Sequence, residues 1–196
     1  MSDPDTIRVY DTRAADYSKM TVSDKAGPIL NAFMQLLPAG GRVLDLGCGP
    51  GTSSAHFAKA GFVVEAWDAS REMVALAAQI PDVMARQAVF ADLDAKGIYD
   101  GIWANFSLLH APRDDMPAHL SAIKNALKPG GKFHIAVKEG EGSKVDPIGR
   151  RYTYYTQDSL SALLRAAGLT PGPYATGADN GLDGVRAAWI STTATA

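Results

Sequence analysis

Three glycines and two aspartates in the first half of the 196-residue chain have the types and spacing to do chemistry. The segment VLDLGCGPGT at 43–52 sets Gly47, Gly49 and Gly51 directly behind an apolar run. Glycines there let the backbone approach a ligand closely and adopt dihedral angles closed to other residues. Asp45 stands two residues before the first glycine, where a carboxylate can meet a cationic ligand group. Asp68 follows 21 residues after Gly47, the spacing at which an acidic side chain reaches both hydroxyls of a ribose. Two such charge-assisted hydrogen bonds are worth roughly 1.5–3 kcal/mol each. Cys48 reads as a small residue packed in the turn. Two later segments continue the pattern: ADLD at 91–94, with Asp92 and Leu93, and WANFSLLHAP at 103–112, with Asn105, Phe106 and His110. His110 alone among the histidines falls at the carboxyl end of a strand. It reads either as a general base or as a hydrogen-bonding residue of a pocket wall. His56, His119 and His134 fall inside helices or a strand and read as packing or surface residues.

These residues need strands and helices to position them. RVLDL at 42–46 is a short apolar strand, the glycine turn follows, and TSSAHFAKA at 52–60 has helical spacing up to Gly61. FVVEAW at 62–67 is a second buried strand, and Ser70 caps a helix whose Met73, Val74 and Ala77 share one face before Pro81. A weaker strand is expected at 87–91 and a clearer one at 99–104. A helix is expected over about 114–127 with Pro117 in its first turns, then a fifth strand at 132–137. Thr156 caps a further amphipathic helix closed by Gly168. Two poorer strands are expected around 169–175 and 184–191. Strands alternating with helices demand right-handed crossovers and a parallel sheet with helices on both faces. Ligands of such sheets sit at the carboxyl ends of the strands, where strand order reverses.

Composition excludes several classes. A 46% hydrophobic and 20% charged chain is globular. Lys+Arg 19 against Asp+Glu 21 provides no basic field for nucleic acid or an anionic membrane. One cysteine makes neither an internal disulfide nor a multi-cysteine metal site. The opening MSDPDTIRVYDTR lacks an apolar run, and no stretch approaches the ~18 apolar residues of a membrane span. The expectation is a cytoplasmic protein with no metal and neither nucleic acid nor membrane as partner.

Together the glycine turn and the segment after the fourth strand resemble motifs I and IV of the class I S-adenosylmethionine-dependent methyltransferases, in their small-molecule branch. The resemblance runs from RVYDTRAADYSKM at 8–20 to the last strand, and RYTYYTQDSLSALLRAAGL at 151–169 is similar to the last helix region of the broad bacterial branch. It implies an α/β, Rossmann-like, doubly wound and mostly parallel seven-stranded sheet, its last strand antiparallel. It implies one domain over 1–196, with a helical lid and first helix at 1–38 and the core at 42–196. S-adenosyl-L-methionine is the implied cofactor and a small molecule the implied methyl acceptor.

By the same resemblance the loop at Gly47, Cys48, Gly49 and Gly51 cradles the methionine end. Ala69 and Met73 lie near the cofactor, with Met73 against the adenine or serving as core filler. Asp92 bonds the adenine amino group, Leu93 packs on the ring, and the backbone at Asn105 and Phe106 faces the sulfonium. Tyr17, within AADYS, approaches the methionine carboxylate, and Tyr10, Arg13 and Tyr17 share one face of a helix that orders as a lid when cofactor binds. The chain lacks the N/D-P-P-Y/F tetrapeptide of amino-methylating nucleic-acid and protein enzymes, which argues against those substrates. Arg150 and Arg151 either hold an anionic acceptor or belong to a solvated loop. Two alternatives share part of the pattern: a protein that binds S-adenosylmethionine without transferring a methyl, and a nicotinamide oxidoreductase. The glycine spacing, which is not G-x-G-x-x-G, counts against the oxidoreductase.

Overall fold

The computed structural model describes residues 3–21 and 24–196; Met1, Ser2, Val22 and Ser23, part of the expected lid, lie outside the described residues. Two helices come first, α1 (Pro4–Thr21) and α2 (Pro28–Gln35). The alternating core follows as β1 (Arg42–Leu46), α3 (Thr52–Lys59), β2 (Val63–Asp68), α4 (Arg71–Ala77), β3 (Val83–Gln87), β4 (Tyr99–Asn105), α5 (Met116–Ala126) and β5 (Leu127–Lys138). A small hairpin, β6 (Ser143–Val145) and β7 (Arg151–Thr153), precedes α6 (Gln157–Ala166), β8 (Thr170–Asn180) and β9 (Arg186–Thr195).

Seven strands form one sheet in the order β3-β2-β1-β4-β5-β9-β8. The first five are parallel, and β9 runs antiparallel to both β5 and β8. The chain winds from β1 outward to β3, then crosses back to β4 on the other side of β1. That reversal opens a crevice above the carboxyl ends of β1 and β4.

Why these segments become central strands is plain from their burial. Val43, Leu44 and Leu46 are all essentially inaccessible, as a parallel strand covered on both faces requires. On one face Leu30 and Phe33 of α2 and Phe57 of α3 pack with Val43, Val64 and Trp103. On the other, Leu120 and Ile123 of α5 and Leu160 and Leu164 of α6 pack with Leu44, Ile102, Phe133 and Ile135. Each fully buried aliphatic side chain contributes on the order of 1.5–3 kcal/mol. Ser70 caps α4 by accepting from Met73 N, and Thr156 caps α6 by accepting from Ser159 N.

The third strand lies at Val83–Gln87, four residues earlier than the pattern indicated, and Phe90–Asp92 is a turn of 3₁₀ helix. As the sheet's edge, β3 is half-exposed and carries Arg86 and Gln87, so its apolar signal is weak. The hairpin β6–β7 was not anticipated, because its residues are polar and its strands three residues long. Arg13 does not share a face with Tyr10 and Tyr17: it is exposed and sits at a kink in α1, with φ −115° and ψ 16°.

Gly51 shows why the turn into α3 tolerates no side chain. Its φ is +87°, and a Cβ there would stand 2.5 Å from Ile80 Cδ1 and 3.2 Å from Ala77 Cα. Gly61 has a similar φ of +85° with open space around it. Gly61→Ala should therefore cost only the left-handed conformation, about 1–2 kcal/mol. Gly51→Ala should cost a further ~1–3 kcal/mol for the overpacked contact with α4, seen as a lower melting temperature; equal losses would remove the packing argument.

Candidate functional site

The crevice above β1 and β4 is a cavity of about 520 Å³. Its floor is the turn between β1 and α3. Gly47 N and Cys48 N both donate to Trp67 O, at 2.7 and 2.9 Å, so the turn is fastened to β2. Ser107 Oγ donates to Leu46 O at 2.6 Å and fastens the loop after β4 to the same turn. A Cβ on Gly47 would fall 2.3 Å from Ser107 Cβ, so that junction closes only around a glycine.

Asp68, at the end of β2, lines the cavity with its carboxyl group held from two sides. Gly49 N donates to Oδ2 at 2.8 Å and Ser70 N to Oδ1 at 2.9 Å. Burial raises its pKa, while those two backbone donors pull the other way. Asp45 is more deeply buried, 2% exposed, and accepts from Ser54 Oγ at 2.6 Å. Desolvation pushes its pKa up to about 7, against the stabilising bond from Ser54.

Helix α1 lies across this cavity. Asp11 Oδ1 accepts from Ser70 Oγ at 2.6 Å, which joins α1 to the start of α4. Tyr10 and Tyr17 pack edge to face, with centroids 5.4 Å apart, and both line the cavity. His110 Nδ1 is 2.6 Å from Arg151 O, and a carbonyl only accepts, so Nδ1 carries the proton. Nε2 then accepts from the Tyr10 hydroxyl at 2.8 Å. Burial lowers the His110 pKa to about 4, so the ring is neutral at pH 7. Arg150 Nη1 donates to the same Tyr10 oxygen at 3.3 Å. Arg150 is buried and ion-paired with Asp146 at 2.8 Å, and Arg151 faces Asp3 at 3.8 Å. Arg150 is therefore not a solvated loop residue, whereas the Arg151 side chain is 39% exposed, and neither arginine lines the cavity.

The cavity has three ends. Toward β2 and β3 it is lined by Asp68, Ala69, Met73, Ala88, Val89 and Phe90. Beneath α2 it runs into a recess lined by Asp45, Ser53, His56, Leu30 and Trp103. Two buried nitrogens there, His56 Nε2 and Trp103 Nε1, have no hydrogen-bond partner among the described residues. Trp103 is itself stacked on His134 at 3.8 Å. Toward β5 and β9 the walls are Tyr10, Asn105, Phe106, His110, Ala136, Asp179, Trp189 and Ser191. Phe106 has φ +57°, a left-handed conformation that costs a bulky residue about 1–3 kcal/mol.

Of the residues singled out from sequence, Tyr17, Asp45, Gly47, Cys48, Gly49, Asp68, Ala69, Met73, Asn105, Phe106 and His110 meet at this cavity. Cys48 is buried and its thiol pKa is raised by desolvation. Gly51, Asp92 and Leu93 are not among the lining residues. Gly51 packs α3 on α4, Leu93 is buried in the core, and Asp92 accepts from Val89 N at 2.9 Å, turning Val89 and Phe90 to the wall instead. His56, Trp103, Asp179, Trp189 and Ser191 were not assigned to the site from sequence. Only Trp103, at the head of WANFSLLHAP, carried any signal.

Residues 19–171 match the family model described as a methyltransferase domain. A ubiquinone biosynthesis O-methyltransferase of Xanthomonas axonopodis pv. citri (strain 306) is 30% identical over 165 residues, covering 69% of this chain and 65% of that protein. A cypemycin N-terminal methyltransferase of Streptomyces sp. is 35% identical over 160 residues, covering 79% and 65%. The chain thus spans just under two thirds of the length of both relatives. In structure it is similar to the Burkholderia thailandensis 1,6-didemethyltoxoflavin-N1-methyltransferase, solved with 1,6-didemethyltoxoflavin and S-adenosylhomocysteine. The TM-score is 0.77 and the identity 27%, over 96% of this chain and 87% of that one.

Asp45 makes the protein's stability depend on pH. Its folded pKa of about 7 lies above the ordinary value of 3.8, so the folded state holds the proton more tightly. The stability this confers is full below about pH 4 and is lost as pH rises to about 7. Asp45→Asn, which keeps an acceptor for Ser54, should gain on the wild type by up to ~1.4 kcal/mol per pH unit across that window and hold its lead above it. Urea unfolding at a series of pH values measures this; a constant difference would show that Asp45 does not titrate there.

Proposed function

We propose that this chain, which belongs to the methyltransferase-domain family, transfers a methyl group from S-adenosylmethionine to a small-molecule acceptor. The observation that carries this reading is the Asp68 carboxyl group, half-buried at the end of β2, fastened by Gly49 N and Ser70 N, and facing the cavity. Each of its oxygens keeps a lone pair after accepting one backbone bond, so the pair suits the two hydroxyls of a ribose. The donor set of the recess fits the other end of the same molecule. Asp45 suits an ammonium group, and the unpartnered His56 Nε2 and Trp103 Nε1 suit a carboxylate. Unpaired buried donors cost about 1–3 kcal/mol each, and a carboxylate would relieve that cost.

When bound, S-adenosylmethionine supplies a methyl already activated on a sulfonium, so the protein's work is positioning and exclusion of water. Positioning alone can supply ~7–11 kcal/mol of a bimolecular barrier. In this reading Val89, Phe90 and Met73 flank the adenine, and Asp92 shapes that wall from behind. The glycine turn at Gly47 and Gly49 holds the methionine chain against Asn105 and Phe106. Helix α1 is the lid, closed through Asp11 and Ser70, with Tyr10 and Tyr17 on its inner side. His110 takes no proton from the acceptor, since its free lone pair already accepts from Tyr10; it positions Tyr10 and completes the wall.

Calorimetry tests the assignment. S-adenosylhomocysteine should bind at about micromolar concentration and NAD should not. Asp68→Ala should weaken it at least tenfold, the cost of one ribose hydrogen bond of ~1.5 kcal/mol. His56→Phe should weaken S-adenosylhomocysteine about tenfold while sparing 5′-methylthioadenosine, which lacks the amino-acid end, and His56→Gln should restore most of the loss. Binding of NAD without S-adenosylhomocysteine would overturn the reading.

A further inference from the structure

Resting on the methyl-transfer reading, we propose that the acceptor is a flat, uncharged nitrogen heteroaromatic, held by Tyr10 and Trp189 and methylated on its own nitrogen lone pair without a base from the protein.

Three separate elements bring aromatic rings to the β5–β9 end of the cavity: Tyr10 from α1, Phe106 and His110 from the loop after β4, and Trp189 from β9. Each polar ring is fixed before any ligand arrives. The Tyr10 hydroxyl is held by His110 and Arg150, and Trp189 Nε1 donates to Asp179 Oδ2 at 2.7 Å. Phe106 stands edge-on to Trp189 at 6.1 Å, in the strained conformation already described. Rings immobilised in advance lose no further rotamer freedom on binding, and they favour a planar partner that stacks or meets them edge to face.

Charge narrows the class. Beyond Asp45, Cys48 and Asp68, the ionisable side chains among the described lining residues are the Asp3 and Asp179 carboxylates, Lys25, the Tyr10 and Tyr17 hydroxyls, and the two histidines His56 and neutral His110. Arg150 is spent on Asp146, and Lys138 Nζ lies 3.7 Å from the Tyr152 ring centroid, outside the lining. Among the described lining residues the carboxylates of Asp3, Asp45, Asp68 and Asp179 face a single Lys or Arg, Lys25, so the field disfavours an anionic acceptor, whereas Asp179 can accept an N–H. An oxygen nucleophile would need either prior ionisation, which the carboxylates disfavour, or a base, and the candidates are engaged: His110 Nε2 by Tyr10, Asp3 by Thr6 and Asp179 by Trp189 Nε1. A neutral nitrogen needs neither. Its lone pair forms the new N–C bond while the C–S bond of the sulfonium breaks with both electrons left on sulfur, and the positive charge passes to the ring, which stays cationic or, where it bears an N–H at another position, sheds that proton to solvent.

The test uses the protein saturated with S-adenosylhomocysteine and probes of matched size: quinoline and pteridine as flat neutral heteroaromatics, 2-naphthoate as a flat anion and 2-decalol as a neutral non-planar ring. At least one heteroaromatic should bind fivefold or more tighter than 2-naphthoate and 2-decalol, with quenching of tryptophan fluorescence. Trp189→Ala should weaken it tenfold or more, and Asp179→Asn should narrow its lead over 2-naphthoate to about twofold. Equal or tighter binding of 2-naphthoate, equal binding of 2-decalol, or binding of no probe would overturn the proposal while the methyl-donor reading stands. Failure to bind S-adenosylhomocysteine at all would overturn both.

Discussion

Two backbone N–H groups from different loops converge on one half-buried carboxyl group, and the architecture of the cavity follows from that meeting. Gly49 N comes from the turn after β1 and Ser70 N from the start of α4, and both donate to Asp68. A buried carboxylate without such donors would be neutralised or expelled. With them it ties the glycine turn to the first turn of α4. Ser70 then passes the connection on: it caps α4 through Met73 N and donates to Asp11 of α1. Helix α1, the glycine turn and the second strand therefore form one hydrogen-bonded unit, centred on a group still able to accept bonds from a ligand.

A second unit holds the opposite end. The Arg150–Asp146 pair is buried, and a pair in that setting earns little net stability from its charges alone. Its effect is directional. Arg150 reaches Tyr10, Tyr10 reaches His110, and His110 is closed off by Arg151 O. Arg150, at the entry to β7, directly and Arg151 O, through His110, thus set the orientation of a ring on α1.

How much of this was legible in sequence depended on how local the determining physics was. The β1–turn–α3 unit and Asp68 were legible because an apolar strand, glycines at positive φ and a carboxylate at a strand's end all act within a few residues of chain. Ser70 and Thr156 were legible as caps for the same reason. The position of β3 was not, since an edge strand with half its residues exposed has little apolar signal to separate it from the loop beyond. Asp92 and Leu93 looked suited to the cavity wall, but the displaced strand hands that place to Val89 and Phe90. Trp189, Asp179 and His56 reach the cavity only through sheet order and helix packing, to which no local spacing refers. Trp189 depends on β9 lying between β8 and β5, and β5 is far from it in the chain.

The reversed direction of β9 carries a consequence for how this scaffold can vary. Trp189 pairs with Lys138 at the carboxyl end of β5, so it is the beginning of β9, with the turn from β8, that stands over the cavity. The strands pair as far out as Asn180 with Arg186, and only the turn lies beyond. Matched insertions in the two arms outside that pair would raise or lower one wall of the cavity in steps of a residue pair. Trp189 would stay in register with Lys138 and Gly177, and the end of the cavity at Asp68 would be untouched. An antiparallel hairpin grafted onto a parallel sheet thus gives the molecule a rim whose height can drift independently of its floor.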